Sequence, residues 1–183
     1  MSAKEEVTIN AARIPNIRDI VIQARPKQML KNGLVLVPLF FTVNIWYNSS
    51  DLSGMSSIIA RVLAALGIFI LISAAVYFIN DSADAKKDRI HPQKRFRPIA
   101  AKRISVPWAV GIATLMIIGG LSSAYLISVP LLITTASYLS INIAYSWWIK
   151  NIILLDVMIV ASGFVLRAVA GSIAIDHAII ETP

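Results

Sequence analysis

Cysteine is missing from the 183-residue sequence, and charged residues are scarce. The absence of cysteine excludes disulfide scaffolds, thiolate metal sites and cysteine nucleophiles. Only 15% of the residues are charged, whereas 57% are hydrophobic and the mean hydropathy is +0.71. This composition is too apolar for a water-soluble domain and predicts an integral membrane protein. The residues up to position 30 carry several charges and no apolar core of the signal-peptide type, so no cleaved leader is expected.

Long uncharged runs predict five membrane spans. One run has no charge from Ile104 to Ile149, and at about 1.5 Å per residue it is about twice the hydrocarbon thickness of about 30 Å. We therefore expect two helices there, separated near Pro130. The fold class that follows is all-α, a multi-span transmembrane helical bundle. The expected spans are residues 33–49, 55–79, 106–127, 130–148 and 152–175.

The cations cluster on one predicted side of the membrane. Six of the 17 lysines and arginines lie in residues 1–31 and eight in residues 86–103, whereas the turns near positions 50 and 128 contain none. By the positive-inside rule, the N-terminal segment 1–31 and the loop 80–105 are expected to be cytoplasmic. Part of this charge is explained as an ordinary cytoplasmic flank beside anionic lipid. Nucleic acid is not an expected partner, because the basic residues lie at a membrane surface without a recognisable nucleic-acid module.

Residues 14–25 predict a short helix that lies in the membrane interface. The apolar residues that recur at helical spacing on one face are Ile14, Ile17, Val21 and Ala24. Such a face, next to polar positions, is typical of a helix lying in the headgroup region. The sequence thus divides into an N-terminal segment, 1–31, and a transmembrane bundle, 32–183.

A polar and acidic cluster spans the end of the second predicted helix, in the stretch YFINDSADAKKD of residues 77–88. Its spacing places most of the polar side chains on one face of a continuing helix. They are Tyr77, Asn80, Asp81, Asp84 and Asp88. Like charges on one face repel unless a cation neutralises them, and Mg²⁺ typically binds carboxylates together with substrate phosphates.

Cations within and after this cluster suit the phosphate oxygens that a carboxylate-bound metal leaves free. They are Lys86, Lys87, Arg89, Lys94, Arg95, Arg97, Lys102 and Arg103. One interpretation is a site for a phosphorylated substrate at the membrane surface. The alternative is a solvated loop whose acids merely balance its bases, and spacing alone favours neither.

The stretch from Asn80 to Asp88 resembles NDxxDxxxD, the first aspartate-rich motif of the UbiA superfamily of intramembrane prenyltransferases. RPKQMLKN (25–32), HPQKRFRPIA (91–100) and LLDVMIVASGFVLRAVAG (154–171) are similar to the branch that contains decaprenyl-phosphate phosphoribosyltransferases. The resemblance implies transfer of 5-phosphoribose from phosphoribosyl diphosphate to a polyprenyl (decaprenyl) phosphate, for a lipid-linked arabinose donor and cell-wall polysaccharide synthesis. It also implies Mg²⁺ as cofactor and a location in a bacterial or archaeal cell membrane.

The same resemblance implies roles for individual residues. Mg²⁺ would bridge Asp81 and Asp84 to the diphosphate, with Asp88 in a supporting or water-mediated role. Asn80 and Tyr77 would face the sugar phosphate, and Asn80 would join the two bridging aspartates in the catalytic set. The expected phosphate contacts are Lys27, Lys31, Arg89, Lys94 and Arg95.

The sequence also departs from that superfamily, whose members have about nine spans and a second aspartate-rich motif in a later cytoplasmic loop. We therefore expect these residues to be the N-terminal part of an enzyme, completed by a C-terminal half or a partner chain, and a homo-oligomer stays open. Two alternative functions also stay open. One is a prenyltransferase that joins a polyprenyl diphosphate to an aromatic acceptor, as in quinone biosynthesis; the other is a non-catalytic membrane scaffold or transport subunit.

Two charges interrupt the fifth predicted span. Asp156 and Arg167 are about 16 Å apart on one helix face, so they cannot pair with each other. Intramembrane charges usually face the bundle interior or a cavity, so each needs its own partner. Arg167 is a candidate for substrate binding or for a buried packing role, and Asp156 for capping or pairing with Lys150. Gly163 and Gly171 share one face and predict close helix packing.

Overall fold

Helices account for the regular elements in the part of the chain that the structure describes. The structure is a computed structural model, and it describes residues 14–47, 50–145 and 153–181. The α-helices are α1 Ile17–Gln23, α2 Pro26–Met29, α3 Val37–Phe41, α4 Val43–Trp46, α5 Leu52–Ala83, α6 Ala85–Ile90, α7 Val106–Ile127, α8 Val129–Ala144 and α9 Ile153–Glu181. Two 3₁₀ helices cover Leu30–Leu36 and Lys94–Phe96. The predicted all-α class is confirmed.

Three helical stretches are long and apolar enough to cross a membrane: Leu52–Ala83, Val106–Ile127 and Val157–Asp176. A shorter apolar helix, α8, follows α7 after a break at Ser128, close to the predicted position. Residues 146–152, with Lys150, lie outside the described residues, as does the side chain of Asp156. The count of five spans and their orientation stay predictions.

The first predicted span, residues 33–49, is divided into short pieces rather than one continuous helix. Pro38 lies in the first turn of α3, where its missing N–H would have no helical partner in any case. At the end of α3 the Thr42 hydroxyl donates to the Pro38 carbonyl at 2.8 Å, and Thr42 itself leaves the helical region (φ −105°, ψ 14°). The same type of bond lies inside the uninterrupted helix α7, from Thr114 to Val110, so it accompanies the break at Thr42 and does not by itself cause it.

Helix α5 is the centre of the bundle. It packs against α7, α8, α9 and the 3₁₀ helix Leu30–Leu36, and its Phe69 and Ile72 are fully buried. Gly171 of α9 lies directly against the backbone of Val35. Small residues that let backbones approach are a common basis of helix packing in membranes. The close packing predicted for Gly171 is confirmed.

The predicted loop 80–105 is folded against the helix ends. Helix α5 continues to Ala83, past its expected end at position 79, so the acidic motif begins inside the helix. Farther along the loop, Ile99 and Ile104 are buried in a cluster with Phe78 of α5. Hydrophobic burial therefore fixes the return path of the loop next to the motif.

Helix α1 is fixed to this loop on one side and open on the other. Asn16 caps the helix with its side chain, and Ile20 and Ala24 pack against the buried loop cluster. Ile14 and Ile17 are 76% and 78% exposed. The open apolar residues fit the predicted interfacial helix, whereas Ala24 packs inward rather than on the open face.

Candidate functional site

The carboxylate of Asp81, near the end of α5, is held by three side chains from other segments, and Asp81 is only 4% exposed. The amide nitrogen of Gln23 donates to Oδ2 at 2.7 Å. One nitrogen of Arg25 donates to both carboxylate oxygens, at 2.6 and 2.7 Å, and Arg97 donates to Oδ1 at 3.0 Å. A buried charge is tolerated when it is paired and hydrogen-bonded, and these contacts meet that requirement.

A second buried aspartate shares one of these cations. Asp88 lies on α6, and the Arg97 nitrogen that contacts Asp81 also donates to Asp88 Oδ2, at 2.8 Å. Arg97 follows the 3₁₀ helix Lys94–Phe96 in an extended conformation, as expected for the residue before a proline. Asp81, Arg97 and Asp88 thus form one ion-pair cluster, with Arg25 attached to it through Asp81.

The remaining motif residues lie at the turn between α5 and α6. Asp84 has φ −87° and ψ 1°, outside the α-helix. Its backbone N–H donates to the carbonyl of Asn80 at 2.9 Å, and the side chains of both residues are half-buried. The spacing of the aspartates predicted one continuous helix face. Because the helix is interrupted here, they do not follow such a face. A metal bridge between Asp81 and Asp84 stays a prediction.

Within the described ranges, no group of three or more histidine, cysteine, aspartate or glutamate side chains is arranged to hold a metal alone. The donor set nevertheless fits a hard cation that shares ligands with a phosphate. One Arg97 nitrogen already contacts both Asp81 and Asp88, so a cation at this place can contact two carboxylates. An amide oxygen is also available, because Gln23 Oε1 is buried without a hydrogen-bond partner. Oxygen ligands of these types, completed by phosphate, suit hard divalent ions.

The sequence patterns did not single out Gln23, Arg25 or Arg97 as partners of Asp81. Arg25 and Arg97 lie in two of the stretches that carry the family resemblance, which is the signal that points to them. Gln23 gave no such signal. The Arg25 guanidinium also lies 4.8 Å from the centroid of the Tyr77 ring, so the structure brings Tyr77 to the cluster. Its role as a substrate contact stays a prediction.

The other predicted phosphate contacts are exposed at the surface of the same segments. They are Lys27, Lys31, Arg89, Lys94 and Arg95. The Nε of Arg89 donates to the Ala100 carbonyl at 3.4 Å, and the Arg95 guanidinium lies 4.8 Å from the Phe96 ring centroid. Phosphate binding by these five side chains stays a prediction.

Arg167 of α9 lies inside the bundle and is 7% exposed. Its guanidinium donates, at 2.7 Å each, to the side-chain oxygen of Asn32, the hydroxyl of Tyr138 and the carbonyl of Gly163. Ser73 of α5 is hydrogen-bonded to Asn32 at 3.1 Å and to Tyr138 at 3.2 Å. The network joins the 3₁₀ helix Leu30–Leu36 to α5, α8 and α9. The network favours a packing role for Arg167. Substrate binding by Arg167 stays a prediction.

Comparison with known proteins gives a family and several relatives. Residues 35–183 match the UbiA prenyltransferase family. The chain is 37% identical over 175 residues to Decaprenyl-phosphate phosphoribosyltransferase of Mycolicibacterium smegmatis, covering 94% of this chain and 53% of that protein. It is 36% identical over 163 residues to the protein of the same name from Corynebacterium glutamicum, covering 87% and 47%.

A third relative has a different name. Nodulation protein NoeC of Azorhizobium caulinodans is 30% identical over 164 residues, covering 90% of this chain and 50% of that protein. The chain therefore spans about half the length of the curated relatives it matches.

Proposed function

Because the chain belongs to the UbiA prenyltransferase family, we propose that it contributes the sugar-donor site of an enzyme that transfers 5-phosphoribose from phosphoribosyl diphosphate to a polyprenyl phosphate. The observation that carries the proposal is the cluster of Asp81 and Asp88 with Arg25 and Arg97, which combines carboxylates for a metal with guanidinium groups for phosphate. Similarity to two decaprenyl-phosphate phosphoribosyltransferases supports this donor and acceptor. The family and the three apolar helices make the chain an integral membrane protein.

In the proposed reaction, the bond from C1 of the ribose to the diphosphate breaks, and C1 bonds to an oxygen of the lipid phosphate. Mg²⁺, held by Asp81, Asp84 and Asp88, would stabilise negative charge on the departing diphosphate. The guanidinium groups of the cluster contribute fixed donors where that charge develops. A general base is unnecessary, because the attacking phosphate is already anionic.

The residues around the cluster would orient the donor. Asn80 and Tyr77 would face the sugar phosphate, and the exposed cations would bind the outer phosphate oxygens. These cations are Lys27, Lys31, Arg89, Lys94 and Arg95. A water-soluble donor must enter from the cytosol, which agrees with the cytoplasmic position that the positive-inside rule predicts for this loop. The matched relatives are about twice as long as the aligned region, so we propose that residues outside this chain complete the acceptor site.

The test uses purified protein from the complete reading frame that contains this chain, in detergent with Mg²⁺. Radiolabelled phosphoribosyl diphosphate and decaprenyl phosphate are supplied, and label is expected in the lipid fraction, with none after chelation. The Asp81→Asn protein is the control and should transfer at least about a hundredfold less label. Consumption of polyprenyl diphosphate with an aromatic acid instead would show the aromatic prenyltransferase. A folded protein with neither activity would point to a scaffold or transport subunit.

A further inference from the structure

We propose that Arg25 and Arg97 are exchangeable counterions of the donor site. In the arrangement described above they neutralise Asp81 and Asp88. When a divalent metal binds these carboxylates, the two guanidinium groups transfer to the oxygens of a diphosphate group. The inference rests on the proposed function for the identity of the sugar donor, but the exchange itself requires only a metal and a diphosphate.

The charges of the cluster balance as they stand, with two carboxylates and two guanidinium groups joined by ion pairs of 2.6 to 3.0 Å. A divalent cation that entered alone would add positive charge to a cluster whose carboxylates are almost completely buried, which is unfavourable. A diphosphate supplies the anionic oxygens that guanidinium groups prefer, often in bidentate pairs. Metal and diphosphate are therefore expected to bind together, each strengthening the other.

The backbone of Arg25 is in an unfavourable conformation while its side chain contacts Asp81. Arg25 has φ 56° and ψ 67°, in the left-handed region, between α1 and α2. This region is unfavourable for a residue with a Cβ, and the following Pro26 disfavours helical conformations further. Contacts with Asp81 and with the Tyr77 ring offset this cost. Loss of the Asp81 contact would let the backbone relax, which lowers the free energy needed for exchange.

Gln23 gives an independent indication that a cation binds here. It is 1% exposed, its amide nitrogen is committed to Asp81 Oδ2, and its Oε1 is buried without a partner. Buried acceptors are nearly always hydrogen-bonded, so an unpaired one beside a carboxylate calls for an explanation. A metal ion on Asp81, or a water bound to that metal, would satisfy this oxygen.

The experiment measures binding rather than turnover. Complete protein in detergent is titrated with Mn²⁺ alone and with Mn²⁺ plus inorganic diphosphate, and free Mn²⁺ is followed by electron paramagnetic resonance. For Arg25→Gln we expect about tenfold tighter binding of Mn²⁺ alone and about tenfold weaker binding of diphosphate, the size of one charged hydrogen bond. Arg97→Gln should shift both affinities in the same two directions.

Two controls accompany these variants. Arg18→Gln removes an equal charge from an exposed position of α1, outside the ion-pair cluster, and should change neither affinity. Arg25→Lys keeps the charge, so its affinity for Mn²⁺ alone should stay near that of the unmodified protein. Thermal unfolding and gel filtration establish that each variant is folded.

The exchange is refuted if both affinities fall together in Arg25→Gln and Arg97→Gln, or if only the unfolding temperature changes. Either result would make these arginines structural clamps. Replacing inorganic diphosphate by phosphoribosyl diphosphate or by a polyprenyl diphosphate identifies the preferred donor. A preference for the polyprenyl compound would contradict the proposed function but leave the exchange intact, so the two failures are distinguishable.

Discussion

Gly171→Ala should separate α9 from the 3₁₀ helix Leu30–Leu36. A Cβ at position 171 would overlap the Val35 carbonyl oxygen and lie 3.0 Å from the Val35 carbonyl carbon and 3.2 Å from Pro38 Cδ. Favourable contacts need about 3.5 to 4.0 Å, and the overlap with the carbonyl oxygen is the largest, so the segments must move apart by about 1 Å or more. Overpacking of this kind costs about 1 to 3 kcal/mol, and loosening the Arg167–Asn32 hydrogen bond adds about 1 kcal/mol.

The higher helix propensity of alanine offsets about 1 kcal/mol of this cost, so the net loss is about 1 to 3 kcal/mol. For a chain of this size the unfolding temperature should fall by roughly 2 to 12 °C. Tryptophan fluorescence during heating in detergent, at one scan rate, measures the shift. Gly67→Ala and Gly111→Ala are matched controls, because a Cβ there meets no atom within 4 Å, and both should melt at or slightly above the unmodified protein. Equal melting of Gly171→Ala and these controls would contradict the close approach.

Asp81→Asn should lower transfer activity by at least about a hundredfold, with an unchanged gel-filtration profile; near-normal turnover would remove Asp81 from the metal site. Lys87→Cys should be labelled only from the cytosol and Asp51→Cys only from outside, and these 183 residues add no background because they contain no cysteine; the reverse pattern would overturn the orientation. Hydrogen bonds from the Gly54 N–H and then the Ser53 hydroxyl lower the pKa of Asp51 below 3.8. The ionised Asp51 side chain caps α5, and the stability that this cap contributes should therefore be complete above pH 3.8 and fade only at lower pH. Asp51→Asn should abolish that acid-dependent loss. Tyr138→Phe should cost about 1 to 3 kcal/mol of stability with unchanged donor affinity, measured by unfolding and diphosphate titration; a selective loss of donor affinity would favour substrate binding by the Arg167 network.

Strong local signals allowed the sequence to predict the main helices and the family. The long apolar runs of α5 and α7 needed no tertiary information, and the family resemblance that the motif carried is confirmed by the match to residues 35–183. Asp81 and Asp88 lie in one buried ion-pair cluster, and the metal-binding roles predicted for Asp81, Asp84 and Asp88 stay predictions. The interruption at Asp84 was missed, because spacing alone treats a helix as continuous.

The partners of Asp81 could not be read from local patterns. Arg25 and Gln23 lie 56 and 58 positions before Asp81 in the sequence. The contact also depends on a left-handed backbone conformation at Arg25, and such a conformation is usually predicted only where the sequence has a glycine. The divided first span escaped prediction for a similar reason. The backbone of Thr42 leaves the helical region within an apolar stretch, and hydropathy does not detect such a change.

The division of the first predicted span, residues 33–49, affects the order in which the segments of the protein fold. Its two α-helical pieces have five and four residues, far below the length of about 12 to 15 at which an isolated helix becomes even marginally stable. Part of what holds it in place is made late, because α3 packs against α9, and Arg167 of α9 is made 135 residues after its partner Asn32 in the adjoining 3₁₀ helix. At about 5 to 20 residues per second, the ribosome needs roughly 7 to 27 s to cover that interval. This early segment is thus among the last to reach its final packing, and until α9 is made it must be held by the insertion machinery or the membrane interface.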